Sequence, residues 1–315
     1  MYPDPKTVTR VTSIGAGPIG GGWAAHFLAR GYDVTAYIHS EAERPALMSV
    51  INTAWISLKA LGLAPGASLD RLTVTTDLDA AVRNAQFIQE SAPERLDIKQ
   101  ALYERLGQVA PRTCVIASST SGLMMTQIQA RCATPERTVI GHPFNPPYLL
   151  PLVEVVGGKQ TEQSAVDWAV SFYQLAGKAP LAMKKEIPGF VATRLQEALW
   201  REALHMVAHG EATPADIDNA LMNGPAARLM VQGQCMAFHV ACGEGGMATN
   251  LDQFGPALKW PWTRLEAPEL TQELRDRMVD GCNDIAAGRP FEQMAATRDR
   301  EIVAVLSALR QARST

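Results

Sequence analysis

No apolar run in this chain approaches membrane-spanning length, and the N-terminus carries no apolar signal core. Cysteine is sparse. Cys114, Cys132, Cys235, Cys242 and Cys282 are an odd number at irregular spacings, with no CxxC pair. That argues against a disulfide framework and against a metal site, and it points to a reducing cytoplasm. Charge of one sign is missing too: the net charge is −3 and no Lys/Arg cluster offers nucleic acid a footprint. There is no internal repeat and no low-complexity segment. What remains is 315 residues, 47% hydrophobic and 19% charged, enough for two domains with ample core.

The first positive signal lies near the N-terminus. Thr9 to Ile14 is β-rich, Gly15-Ala16-Gly17-Pro18-Ile19-Gly20 follows, and Trp23 to Arg30 has helical spacing. Strand, glycine turn and helix come in the order of a Rossmann dinucleotide unit. Gly15 makes the tight turn, Gly17 lets the backbone approach a pyrophosphate, and Gly20 packs helix against strand. The helix N-terminus, with Pro18 and Ile19 in its first turn, offers free N–H groups to the phosphates. Gly31 closes the helix, and Asp33 to Ile38 supplies the next strand.

An NAD site usually has an Asp or Glu about 20 residues past the glycines, bonded to the adenine-ribose hydroxyls. Here Ile38 stands in that place, followed by His39, Ser40 and Glu41. Isoleucine neither accepts those bonds nor repels a phosphate. His39, Ser40 and Arg44 could donate to a 2′-phosphate, with Glu41 opposing it. The cofactor is therefore NAD(H) or NADP(H), and appreciable NADP(H) use is expected.

The second signal is a His–Glu pair. His142 opens a segment whose Pro146-Pro147-Tyr148 stretch cannot be helical throughout, so a loop is expected there. Leu152 to Val156 reads as a buried strand interrupted by one charge, Glu154. A buried carboxylate needs a partner, and His142 is the natural candidate. An imidazole can take a proton from an alcohol and return it, and a carboxylate on its other nitrogen would fix the tautomer. The bland alternative is a structural pair holding a loop onto a sheet.

Along the chain, Ala46 to Leu61, Asp79 to Asn84 and Leu96 to Val109 read as helices. Leu72 to Thr75, Phe87 to Glu90, Cys114 to Ala117, Val139 to Gly141 and Pro180 to Met183 read as strands. The alternation predicts an α/β domain with a mostly parallel sheet, with Ser118 to Ser121 and His142 at the carboxyl edge where such folds bind ligands. From Pro188 onward helical patterns dominate: Phe190 to His209, Pro214 to Asn223, Val231 to Ala241, Pro268 to Ile285 and Ala295 to Ala312. The expected domains are a Rossmann domain at 1–187 and an all-helical substrate and dimerisation domain at 188–315.

These residues resemble the 3-hydroxyacyl-CoA dehydrogenases, and within them the shorter branch acting on carnitine-like and gulonate-like hydroxy acids. The run from Gly141 to Val156 is close to that signature. Gln89 to Glu94, Ala117 to Gly122 and Ile187-Pro188-Gly189-Phe190 fall at matching places. Gly245-Gly246, Gln253 to Leu258, Pro261 to Arg264 and Ala267 to Leu270 look most like the carnitine-oxidising members. The resemblance implies that His142 is the general base and Glu154 its orienter, with Ser121 and Asn145 near the nicotinamide and the reacting carbon. It implies that Glu94 and Lys99 line the cofactor site; read alone, they are a surface pair on one helix turn. It also implies a homodimer, for which Met206, Val207, Leu221, Met222 and Met230 are available as an apolar face. Where the family carries an Asn after its Pro-Gly-Phe, this chain has Thr193, a shorter group with only a hydroxyl. Pro225 to Leu229 also departs from the carnitine-type sequence.

The function expected is NAD(P)-dependent interconversion of a small, carnitine-like 3-hydroxy acid and its 3-oxo acid. Phe144, Tyr148, Phe238, Trp260 and Trp262 are candidate walls for a trimethylammonium group, and Arg194, Arg228 or Lys259 could hold a carboxylate. Reduction of another ketone or an imine in a reshaped pocket is the alternative within this fold. A non-catalytic, crystallin-like role is the alternative outside enzymes, and the intact Ser121, His142, Asn145 and Glu154 argue against it.

Overall fold

The computed structural model describes residues 2–261, 263, 264, 266, 269 and 271–313. The chain divides into two compact units, one of residues 1–193 with 298–307 and one of residues 194–297 with 308–315. The break thus falls a few residues after the expected one, and a stretch near the C-terminus returns to the first unit.

The first unit runs β1 (Arg10–Ile14), α1 (Pro18–Ala29), β2 (Asp33–Tyr37), α2 (Arg44–Leu61), β3 (Leu72–Thr75), α3 (Leu78–Val82) and β4 (Phe87–Glu90). It continues with α4 (Leu96–Val109), β5 (Val115–Ser118), α5 (Met125–Ile128), β6 (Thr138–Pro143), β7 (Leu152–Gly157), α6 (Gln163–Leu175) and β8 (Ala179–Ala182). Helix α6 went unexpected, although Ala165, Trp168, Ala169 and Phe172 have helical spacing and all are buried. The eight strands form one sheet in the order β3-β2-β1-β4-β5-β6-β7-β8. All neighbours are parallel except β6 and β7. Strand order reverses beside β1, the crevice where a doubly wound sheet takes its ligand.

Strands β1, β4, β5 and β6 are wholly or largely buried, as near-continuous apolar runs in a parallel sheet must be. One face packs on an aromatic core from α1, β4 and α6. Phe172 lies 4.3 Å from Phe87 between ring centroids and stacks on Trp168 at 5.4 Å. Ile302 and Val303, from the returning stretch, pack against the same core.

The second unit is helical, as expected. It contains most of α7 (Ala192–Ala208), then α8 (Pro214–Asn223), α9 (Pro225–Ala241), α10 (Gly246–Phe254), α11 (Gln272–Ala286) and the ends of α12 (Phe291–Arg313). Helix α8 opens on a capping box, Thr213 and Asp216 bonding each other's backbone amides. Helix α9 is broken at Gly233, whose φ of 71° leaves the helical region. Val207 is 3% exposed and belongs to this unit's interior rather than to an outer face, whereas Met222 and Met230 are 70% and 49% exposed.

Phe172→Ala removes a ring held between Phe87 and Trp168 and is expected to cost about 3–5 kcal/mol. The measurement is the urea midpoint against the parent; an unchanged midpoint would show that the aromatic cluster does not support the sheet.

Candidate active site

Glu154 sits in a strand with no exposed surface, so its charge has to be met by protein groups. Its position is fixed by register. Strands β6 and β7 are antiparallel, and His142 lies directly opposite Glu154 in the ladder. His142 is therefore the penultimate residue of a strand, not part of the loop expected from the prolines. Its Nδ1 lies 2.9 Å from Glu154 Oε2. The other oxygen, Oε1, accepts the backbone N–H groups of Val191 and Ala192, both at 2.8 Å. Burial opposes ionisation of this carboxyl. The imidazole bond and the two amides outweigh it and hold Glu154 below the ordinary carboxylate range. An ionised acceptor on Nδ1 requires Nδ1–H, which leaves Nε2 free to take a proton.

The amides of Val191 and Ala192 arrive through a tight turn. Gly189 and Phe190 have φ of 71° and 51°, and the second is a conformation that costs a bulky residue strain. It places the Phe190 ring, 0% exposed, 5.4 Å from the His142 ring. Phe144 packs on the other ring contact at 5.3 Å. Thr193 follows Ala192 and is half-buried, next in the chain to a residue that grips Glu154. Asn145 is exposed on the loop after β6. That loop is held by Lys178, whose buried Nζ donates to the carbonyls of Pro147 and Leu150. Burial, with Arg30 nearby, pushes the Lys178 ammonium down to about 7.

A second buried network lies at the ends of β4 and β5. Lys99, 1% exposed, pairs with Glu90 Oε1 at 2.7 Å, while Glu94 is 3.7 Å away. Lys99 is thus no surface partner of Glu94. Glu90 is 0% exposed, and its Oε2 also accepts from Ser118 Oγ at 2.6 Å. Glu94 instead holds the Ser121 loop: its Oε1 accepts from the hydroxyl of Thr120 and from the amides of Ser121 at 2.9 Å and Gly122 at 3.3 Å. Gln89 links the two networks, donating to Ser119 Oγ at 2.7 Å and to the carbonyl of Gly141 at 3.1 Å, next to His142. Ser118 was expected at this edge, but Glu90 was given no role from sequence. The signal was present, since Glu90 is the lone charge of β4, as Glu154 is of β7.

The glycine turn fits a pyrophosphate. Gly15 has φ of 112°, and a Cβ there would lie 2.6 Å from the carbonyl oxygen of Ser91. A Cβ on Gly20 would meet the Gly15 carbonyl at 2.2 Å, whereas one on Gly17 meets nothing within 4 Å. The turn closes tightly behind and stays open in front, where Gly17 caps α1 without any side chain and Pro18 begins it. At the end of β2 the picture differs from expectation. Ile38 is 0% exposed and packs into the core, so its side chain does not reach a ribose. His39 is exposed and Ser40 half-buried. Arg44 is engaged by Glu41.

Residues 10–187 match the 3-hydroxyacyl-CoA dehydrogenase NAD-binding domain, and residues 189–279 match the C-terminal domain of that family. The chain belongs to the 3-hydroxyacyl-CoA dehydrogenase family. It is 58% identical to L-carnitine dehydrogenase of Streptomyces griseus over 96% of this chain and 91% of that one. The corresponding enzyme of Pseudomonas putida is 46% identical over 96% and 94%. Among solved structures, 5-formyl-3-hydroxy-2-methylpyridine 4-carboxylic acid 5-dehydrogenase, an NAD+-dependent dismutase, superposes with a TM-score of 0.83 at 28% identity, covering 96% of this chain and 99% of that one. The 3-hydroxybutyryl-CoA dehydrogenase of Escherichia coli gives 0.61 at 30% identity, over 69% of this chain and 47% of that one. Like its family, this chain is an NAD-dependent dehydrogenase of a hydroxy acid.

The lowered Glu154 carboxyl has a sign that can be tested. Its contribution to stability is complete above the ordinary carboxylate range and is lost as the pH falls through the lowered value. Glu154→Gln should melt below the parent at neutral pH, and the two melting curves should begin to converge below about pH 4. A gap independent of pH would show that the carboxylate's charge does not stabilise the fold.

Proposed function

We propose that this protein oxidises L-carnitine, or a close 3-hydroxy acid bearing a quaternary ammonium, to its 3-oxo acid with NAD, and runs the reverse reduction. The observation that carries this is the buried His142–Glu154 pair, with Nδ1 committed to the carboxylate and Nε2 left as the acceptor. Support for the substrate comes from the L-carnitine dehydrogenases that the chain resembles over nearly its whole length. Bound NAD supplies the hydride acceptor. His142 takes the hydroxyl proton at Nε2 while Glu154 steadies the imidazolium, and in the reverse direction His142 returns it. Ser121 and Asn145, with Thr193 in place of the family Asn, are assigned to the reacting oxygen and the nicotinamide carboxamide.

Phe144 is the aromatic wall assigned to the ammonium, because its ring already borders His142. Tyr148 is 8% exposed and donates its hydroxyl to Asp299, so it serves the loop rather than a ligand. Phe238 and Trp260 are exposed in the second unit, with Arg228 lying 5.9 Å over the Phe238 ring; Trp262 lies outside the described residues. The glycine turn with Pro18 and Ile19 holds the pyrophosphate, and Lys99 and Glu94 shape the nicotinamide end. The expectation of NADP(H) use rested on Ile38, His39, Ser40 and Arg44. With Ile38 buried and Arg44 paired to Glu41, the arrangement favours NAD(H).

A cytoplasmic homodimer completes the proposal. No helix among the described residues is long and apolar enough to cross a membrane. Met222, Met230 and Phe254 stand exposed on the second unit and are assigned to the partner copy. Sedimentation should return the mass of two 34.1 kDa chains at micromolar concentration; a single-chain mass would remove the dimer.

His142→Gln should lower kcat by about 10²–10⁴ with L-carnitine while the Kd for NADH stays near the parent value. Parental turnover in that variant would sink the general-base assignment, and turnover with other 3-hydroxy acids alone would sink the carnitine one.

A further inference from the structure

The end of β2 is where a Rossmann unit meets the adenine ribose, and here two carboxylates occupy the donors that stand there. Arg44 opens α2. Its Nε donates to Glu41 Oε2 at 2.6 Å and its Nη2 to Glu41 Oε1 at 2.9 Å, a two-point fork. Nη2 also lies 3.4 Å from the carbonyl of Val74, on β3, whose last residue Thr75 pairs with Tyr37 at the end of β2. The guanidinium is thereby set at the carboxyl ends of β2 and β3. Beside it, the backbone N–H of His39 donates to Glu43 Oε2 at 2.9 Å. A 2′-phosphate arriving at this edge would call on those two donors, a planar fork and an amide. Each is already held by a carboxylate of this chain.

We propose that Glu41, by chelating Arg44, is the specificity determinant that keeps this site for NAD(H) over NADP(H). The inference rests on the cofactor reading above. In a typical NAD site the excluding charge stands at the strand end itself; here that position is Ile38, fully buried. The negative charge has moved along the chain to Glu41, which acts by occupying the cation a phosphate needs. Glu43, on the His39 amide, puts a second carboxylate at the same edge, where it can accept a ribose hydroxyl. Both members of the Arg44–Glu41 pair are substantially exposed, 41% and 60%. Water screens such a pair and it opens at little cost, so its discrimination is graded rather than absolute.

Direct binding tests this without relying on turnover. Dissociation constants for NADH and NADPH are measured by calorimetry on the parent, Glu41→Gln, Glu41→Ala and the double variant Glu41→Gln/Arg44→Gln, each checked for an unchanged melting temperature. Either single variant should shift the NADPH-to-NADH affinity ratio toward NADPH by about ten-fold. The double variant should lose that gain, since the freed guanidinium makes it. A parent that binds NADH, with a ratio unmoved in both single variants, overturns the inference alone. A gain that survives loss of Arg44 overturns it too. A parent that binds neither dinucleotide removes the cofactor reading and this inference with it.

Discussion

A carboxylate with no exposed surface can remain charged only if every oxygen is matched, and Glu154 imposes that requirement on two other segments. One oxygen takes the imidazole of β6 and the other takes two amides at the start of α7. Meeting it fixes the tautomer of His142, the course of the chain through the left-handed Gly189–Phe190 turn, and the Phe190 ring against the imidazole. The imidazole is thus oriented by bonds that also hold residues 191 and 192.

The rule is repeated three strands away in the same sheet. Glu90 is as buried as Glu154 and is met by Lys99, the Ala92 amide and Ser118. Glu94, more exposed, clasps the backbone around Ser121. Gln89 bridges from this group to Gly141, so the serine loop and the histidine strand are tied through hydrogen bonds rather than by packing alone. Such satisfied polar networks are costly to break at any one member, which suits a site that must hold several groups in fixed relation.

How much was legible follows from where each signal lives. The glycine turn, the parallel alternation and the buried charge at Glu154 are local patterns, and all of them stand out in the sequence. The direction of β7 is not local: prolines between His142 and Leu152 announce a loop but not whether the chain returns alongside. Hence His142 read as a loop residue while it is paired across a ladder. Lys99 pairs with two carboxylates of its own stretch of chain, and that it is buried and closer to Glu90 than to Glu94 depends on the packing of α4 against the sheet. Ile38 was read correctly as lacking a carboxylate, yet that it points into the core depends on the packing of α1 and α2. The return of 298–307 to the first unit is a long-range event with no signature at all.

The hairpin of β6 and β7 separates two jobs that many enzymes combine in one loop. His142 and Glu154 are locked by the pleat of the sheet, where a slip of one residue would turn Glu154 to the opposite face. The connection between them, residues 144–151, carries Asn145 and Phe144 but holds no part of that register. Its buried residues 146–149 are fixed separately, by Lys178 on the carbonyls of Pro147 and Leu150 and by Tyr148 on Asp299. The pair is set by the register of the sheet, and its neighbours Phe144 and Asn145 by a second set of bonds, so a change in one set need not disturb the other.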